Sequence, residues 1–344
     1  MNNLQWNQLV KVIRGDIVKP LPTGFIIDSP WLPGWAGISI MDYFSSETKW
    51  LAANLKAIRN FPDITFLPGF WSEYGMCTEP SAFGAKCVFH ENELPFADKI
   101  IETPQQMEAL RKPDVLTDGL LPFVLRRLQH ARPEIEKEGH FIKFAVARGP
   151  LNIASFLMGT TEFMIALKES PRECHVMLNT ITDFLCDWLR LQQKTIPTID
   201  GVFLLDDIAG FLGEEDFVEF AAPYLKRSFN AIKTEVRFFH NDAGGLVCAP
   251  HLADIGVNLF NFSFQHGIQE MLDKTGNKVT LLGNLPPRDV LAAGTPADVS
   301  KGIAEMFTDV PDRRRIIASC GGGMSQNTPT SNIEAFAKAV NDLA

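Results

Sequence analysis

Residues able to do chemistry stand at the ends of short apolar runs in this chain: Asp28, Arg148, Asp206 with Asp207, His240 and Asp242 flanking Asn241, Asn284, and Cys320. A histidine two positions from an aspartate forms either a hydrogen-bonded pair or, as a neutral imidazole beside a carboxylate, part of a metal site. Cys320 reads as a ligating thiolate or as a small buried hydrophobe. Asp206 and Asp207 are consecutive, so on a strand only one faces inward and the other serves structure. Arg148 either pairs with a nearby carboxylate or receives substrate. Gly321-Gly322-Gly323 either cradles an anion with its backbone N–H groups or permits a tight turn.

The runs that carry these residues are Gly24–Asp28, Ile64–Pro68, Phe141–Arg148, Gly201–Asp207, Glu235–Asp242, Val257–Ser263, Lys278–Asn284 and Arg315–Cys320. Near-continuous apolar stretches of this length suit strands buried on both faces, and helical periodicity lies between most of them. Eight such strands with intervening helices predict an α/β fold, a (β/α)8 TIM barrel, in which the strand ends converge on one face. Caps mark the helices. Ser170-Pro171-Arg172-Glu173 opens one that carries Cys174, His175 and Cys186 as structural residues, Thr295-Pro296-Ala297-Asp298 opens another, and Ser331-Asn332-Ile333-Glu334 opens the last. Pro223 marks a kink or break within 214–233. From Trp71 to Thr117 there is no clean strand period but a scatter of Gly and Pro, which predicts an inserted lid or docking segment at 71–117 over the barrel mouth.

Length and composition agree with one such domain over 1–344. A 344-residue chain that is 46% hydrophobic exceeds a minimal barrel and leaves room for an elaboration. A formal net charge of −9 without a Lys/Arg run argues against nucleic acid or an anionic membrane as main partner. With no long apolar segment and no secretory signal, the expected location is the cytoplasm, and the six cysteines are expected to be reduced thiols.

The stretch Leu282-Gly-Asn-Leu-Pro-Pro-Arg-Asp-Val-Leu-Ala-Ala-Gly-Thr-Pro-Ala-Asp-Val299 resembles a segment typical of the uroporphyrinogen decarboxylase superfamily. Cys320-Gly-Gly-Gly-Met-Ser-Gln-Asn-Thr-Pro-Thr-Ser-Asn332, Ala147–Ser155 and Phe217–Leu225 are similar to further segments of it. The resemblance runs from about residue 97 to the C-terminus and implies a (β/α)8 barrel.

That superfamily holds two chemistries. Its tetrapyrrole decarboxylases carry an N-terminal Arg-Gln-Ala-Gly-Arg stretch that binds substrate carboxylates. The corresponding region here is Ile27-Asp-Ser-Pro-Trp-Leu-Pro-Gly-Trp-Ala-Gly37, and no arginine lies between Arg14 and Arg59. The resemblance is therefore closer to the zinc-dependent methyltransferases that exchange methyl groups with a corrinoid protein. Thiol-methylating members hold zinc with His-x-Cys and a distant Cys; here His240 and Cys320 match, and Asp242 replaces the middle Cys. Glu219, Asp206 or Asp207 is then a further ligand or support.

Carboxylate in place of thiolate leaves zinc a harder Lewis acid, which suits an ether oxygen. The expectation is methyl transfer from an aryl methyl ether to the cob(I)amide of a corrinoid partner protein, with methylcobamide:thiol transfer and cofactor-free decarboxylation as alternatives. A non-catalytic partner of a corrinoid module is the third class. In this reading Arg148, Asp206, Asp207 and Asn241 are catalytic candidates, and Asn284, Gly321 and Gly322 contact the cofactor. Five of the six tryptophans lie in the first 71 residues, and Asp28, Trp31, Trp35 and Trp71 are taken to line the substrate pocket.

Overall fold

The computed structural model describes residues 1–243 and 246–343. Its strands are β1 (Gly24–Ile26), β2 (Thr65–Leu67), β3 (Cys87–Val88), β4 (Phe96–Ala97), β5 (Phe144–Arg148), β6 (Gly201–Leu205), β7 (Val236–Asn241), β8 (Leu259–Phe262), β9 (Thr280–Leu285) and β10 (Ile316–Cys320). All eight apolar runs are strands, and β5 through β10 pair in parallel in chain order. β1 pairs in parallel with β2 and meets the far edge through the bridges Thr23 to Ala318 and Ile26 to Gly323. Among the described residues no ladder joins β2 to β5. Met1 is wedged there, with its backbone bonded to Phe141 and its nitrogen near Gly69.

Alternation along the strands sorts side chains between two apolar regions. Ile26, Leu67, Phe144, Phe203, Leu205, Val236, Phe238, Leu259, Leu282 and Ile317 form the barrel interior, whereas their strand neighbours pack outward against the helices. Phe203 and Phe238 stack at 4.2 Å in the centre. The amphipathic helix Asn3–Arg14 closes the N-terminal end: Trp6 meets Phe144 edge-on at 5.7 Å, and Thr280 Oγ1 donates to Val12 O at 3.3 Å. With the interior filled and that end stopped, only the C-terminal ends of the strands are left to build a site.

The helix signals read unevenly. Thr295 and Asp298 make the reciprocal cap of the helix Pro296–Met306. Ser170 precedes the helix Pro171–Thr195 without a side-chain cap bond, and Glu173 pairs with Arg172. The last helix starts at Thr330, one residue ahead of the Ser331 start. Near Pro223 a π-turn over Phe217–Ala221 gives way to the helix Ala222–Phe229. Segment 71–117 contains the helices Thr78–Ala82 and Pro104–Glu108 and the antiparallel pair β3–β4; it buries Cys77 and places Ile101 and Met107 in the outer core. No single helix among the described residues is long and apolar enough to cross a membrane.

Candidate functional site

On β7 the alternation that sends Val236 and Phe238 inward sends His240 inward too, where its ring lies edge-on to Phe203 at 6.4 Å. Two residues beyond Leu205 of β6, Asp207 reaches the same place. His240 Nε2 is 3.6 Å from Asp207 Oδ1 and 4.0 Å from Asp242 Oδ2, and one ligand atom from each of the three lies within 4.8 Å of the others. His240 Nδ1 is 2.8 Å from Asn261 Oδ1. Asn261 Nδ2 donates to Leu282 O and Cys320 O, so its oxygen is fixed toward the ring, Nδ1 carries the proton, and the Nε2 lone pair points at the two carboxylates. Three acceptors thus converge, and among the described residues no donor side chain stands between them. Burial, against the pull of His240, raises the Asp242 carboxyl, and Asp207 raises it further. That donor set fits a divalent cation: one imidazole nitrogen and two carboxylates, with an outer partner orienting the histidine.

Asp206 faces the other way. Its carboxylate accepts from Leu151 N at 2.9 Å and Asn152 N at 3.0 Å, holding the start of the helix Pro150–Met158, and burial pushes it up to about 8. Gly149 leaves no room for a Cβ beside that carboxylate. Asp206 is therefore an anchor for the helix rather than a catalytic group. Asn241 also faces outward; it packs against Gly210 and accepts from Ala243 N, which removes it from the catalytic candidates.

Arg148 ends β5 inside the mouth. Its guanidinium lies 5.2 Å above the Trp71 ring and 3.4 Å from Glu73 Oε2. Glu73, which also accepts from Ser29 N at 3.2 Å, is raised by burial and held down by Arg148. Glu79 accepts from the Arg148 backbone N–H, and burial pushes it up to about 7. Glu73 and Glu79 were missed by the sequence reading, although carboxylates set among Phe70, Trp71, Tyr74 and Phe83 were a signal that they are held inside. Asp28 sits beside them, raised well above the carboxylate range by burial, then by Glu73, and eased by Arg148.

Other candidates are placed differently. Cys320 shares the outward face of Ile316 and Ala318, contacts Gly322 O at 3.4 Å and is pushed by burial up to about 12; it is outside the three-residue cluster. Glu219 lies on an outer turn against His175 at 3.3 Å and reaches no ligand. Gly322 has φ +121°, and a Cβ there would be 2.7 Å from Asp242 Oδ2; Gly321 abuts the Phe264 backbone. An anion cradled by this turn would face the Asp242 carboxylate, so the glycines serve close passage of the chain. Asn284 ties down the loop after β8 by donating to Ser263 O and His266 O. Trp31 is fully buried, stacked on Trp35 at 5.0 Å and bonded to Thr328 O, while Trp35 bonds Thr330; both brace the start of the last helix. Trp71 belongs to the barrel interior and meets Phe203 edge-on at 5.8 Å, forming a floor beneath Arg148.

The family model for uroporphyrinogen decarboxylase (URO-D) matches residues 35–343. Uroporphyrinogen decarboxylase of Mannheimia succiniciproducens is 24% identical over 78% of this chain and 76% of its own length. The enzyme of that name from Christiangramia forsetii is 24% identical over 97% of each chain. Among solved structures, a methyltransferase from Methanosarcina mazei superposes with a TM-score of 0.82 at 17% identity, covering 98% of both chains. A B12-independent methionine synthase from Shewanella gives 0.56 at 10% identity, over 93% of this chain and 95% of its own.

Proposed function

The chain belongs to the uroporphyrinogen decarboxylase family, and from that premise we propose that it is a zinc-dependent methyltransferase that moves a methyl group from a methyl ether to the cob(I)amide of a corrinoid partner protein. The observation that carries this reading is the convergence of the His240 lone pair with Asp207 and Asp242 at the C-terminal mouth of the barrel. These three residues would hold zinc, which when bound supplies Lewis acidity to a substrate oxygen. One nitrogen and two oxygen donors form a harder set than one with thiolates, and that favours an ether over a thiol substrate. Asp207 takes the ligand place that Cys320 holds in the resemblance.

The chain's own residues do the remaining work. Asn261 fixes the His240 tautomer, Arg148 is held over Trp71 by Glu73, and the filled barrel beneath them gives the site a dry floor. Segment 71–117, which contributes Glu73 and Glu79, is the wall over which the corrinoid partner approaches. Decarboxylation of a polycarboxylate is disfavoured by charge: Arg148 is already paired with Glu73, and Asp28, Asp207 and Asp242 share its surroundings.

The test is methylcob(III)alamin formation from cob(I)alamin with a panel of methoxylated aromatics, run beside thiol methylation from methylcob(III)alamin and decarboxylation of uroporphyrinogen. Ether demethylation lost in His240→Ala supports the reading. Thiol methylation or decarboxylation without ether demethylation overturns it, and binding to a corrinoid protein without turnover in any assay leaves a non-catalytic partner.

A further inference from the structure

Away from the barrel mouth, Cys77 and Cys87 meet in the wall segment. Cys77 is fully buried and immediately precedes the helix Thr78–Ala82, whereas Cys87 is half-buried on the short strand β3. The Cys87 thiol lies 3.9 Å from Cys77 O and 3.7 Å from Ala85 O, so it sits against the Cys77 backbone, and the two side chains are close enough to perturb each other. Their contact is unlike the setting of the other four cysteines. Cys174, Cys248 and Cys320 are buried and pushed up to about 12, and Cys186 is likewise raised by burial.

We propose that Cys77 and Cys87 form a redox-active dithiol site that takes low-molecular-weight disulfides as its oxidising substrate. The partly exposed member attacks and the buried member resolves. Cys87 as thiolate attacks one sulfur of the disulfide; the S–S bond of the small molecule breaks, and one half leaves as a thiolate that takes up a proton. Cys77 then gives up its proton to water and attacks the Cys87 sulfur; the mixed disulfide breaks and the second half leaves as a thiol. Two protein thiols are oxidised to one disulfide, and one small disulfide is reduced to two thiols.

The electrostatics run in the same direction. The neighbouring Cys77 side chain holds the Cys87 thiol below its ordinary range, and Cys87 together with burial pushes Cys77 up. A lowered, accessible thiol is the one that reacts first. Once formed, the cross-link would tie β3 to the turn that opens the Thr78–Ala82 helix, whose Glu79 carboxylate accepts from the Arg148 backbone. The wall of the mouth would then be braced in its present position.

The experiment is incubation of the reduced chain with oxidised glutathione, followed by intact mass and non-reducing peptide mapping. The wild type is expected to lose two hydrogens, to retain no glutathione, and to yield a peptide joining Cys77 to Cys87. Cys77→Ser should accumulate a stable glutathione adduct on Cys87, formed at least about tenfold faster than on any other cysteine, while Cys87→Ser should leave Cys77 unmodified. A wild-type protein that keeps glutathione on Cys87 without the internal bond, or reacts equally at Cys174 or Cys186, overturns the proposal. The wild-type map decides the matter even where a variant does not fold, and it is independent of the methyl-transfer assay.

Discussion

β6 and β7 hold two regions that differ only by position along the same strands. At Phe203 and Phe238 the inward side chains stack on each other in a sealed apolar interior. Two residues farther along β7, and four along β6, the inward positions are His240 and Asp207. The lower layer excludes water by filling space, and the upper layer gathers the lone pairs of one imidazole and two carboxylates. The difference teaches that the same alternation assigns residues to stability or to chemistry, depending on how far along the strand they stand.

Substitutions at the two levels should separate. His240→Ala is expected to abolish methyl transfer, a loss of at least about a thousandfold, because a three-residue site has no spare donor, and its urea midpoint should change little when both proteins are compared free of metal. Phe203→Ala should cost about 3–5 kcal/mol of unfolding free energy through the cavity it leaves, measured by urea denaturation. A His240→Ala protein that unfolds as readily as Phe203→Ala would break the comparison. Asn261→Ala sharpens it, since the orienting partner of the histidine is removed and no ligand is lost. Zinc affinity, read by competition with a chromophoric chelator, should fall about 10- to 100-fold.

A smaller effect comes from the edge of the mouth. Glu79 is raised from its ordinary 4.5 to about 7, chiefly by burial. The folded state therefore holds its proton more tightly than the unfolded state does, so the associated stability is present in full below about pH 4.5 and is lost as pH rises through 7. Between these limits the wild type should lose about 3 kcal/mol more than Glu79→Gln. Parallel pH profiles of the urea midpoint for the two proteins would show that Glu79 is ionised throughout.

The strands were legible because eight apolar runs of strand length carry their polar residues at one end, and all eight are strands in the barrel. The sequence also indicates that only one of Asp206 and Asp207 faces inward. It does not say which, because both faces of these strands are apolar: Phe203 and Leu205 fill the interior, and Val202 and Leu204 pack on helices. The same ambiguity hid the outward face of Cys320. Glu73 and Glu79 escaped notice because they lie in a Gly- and Pro-rich stretch read as a cover, and their burial depends on Arg148, which is remote in sequence.

The central claim is that Asp207, rather than Cys320, completes the metal site with His240 and Asp242. It is tested most directly by zinc content after purification without chelator, for the wild type, Asp207→Asn and Cys320→Ser. The account predicts about one zinc per chain in the wild type and in Cys320→Ser, and loss of most of it in Asp207→Asn. Full zinc in Asp207→Asn with loss in Cys320→Ser would contradict it.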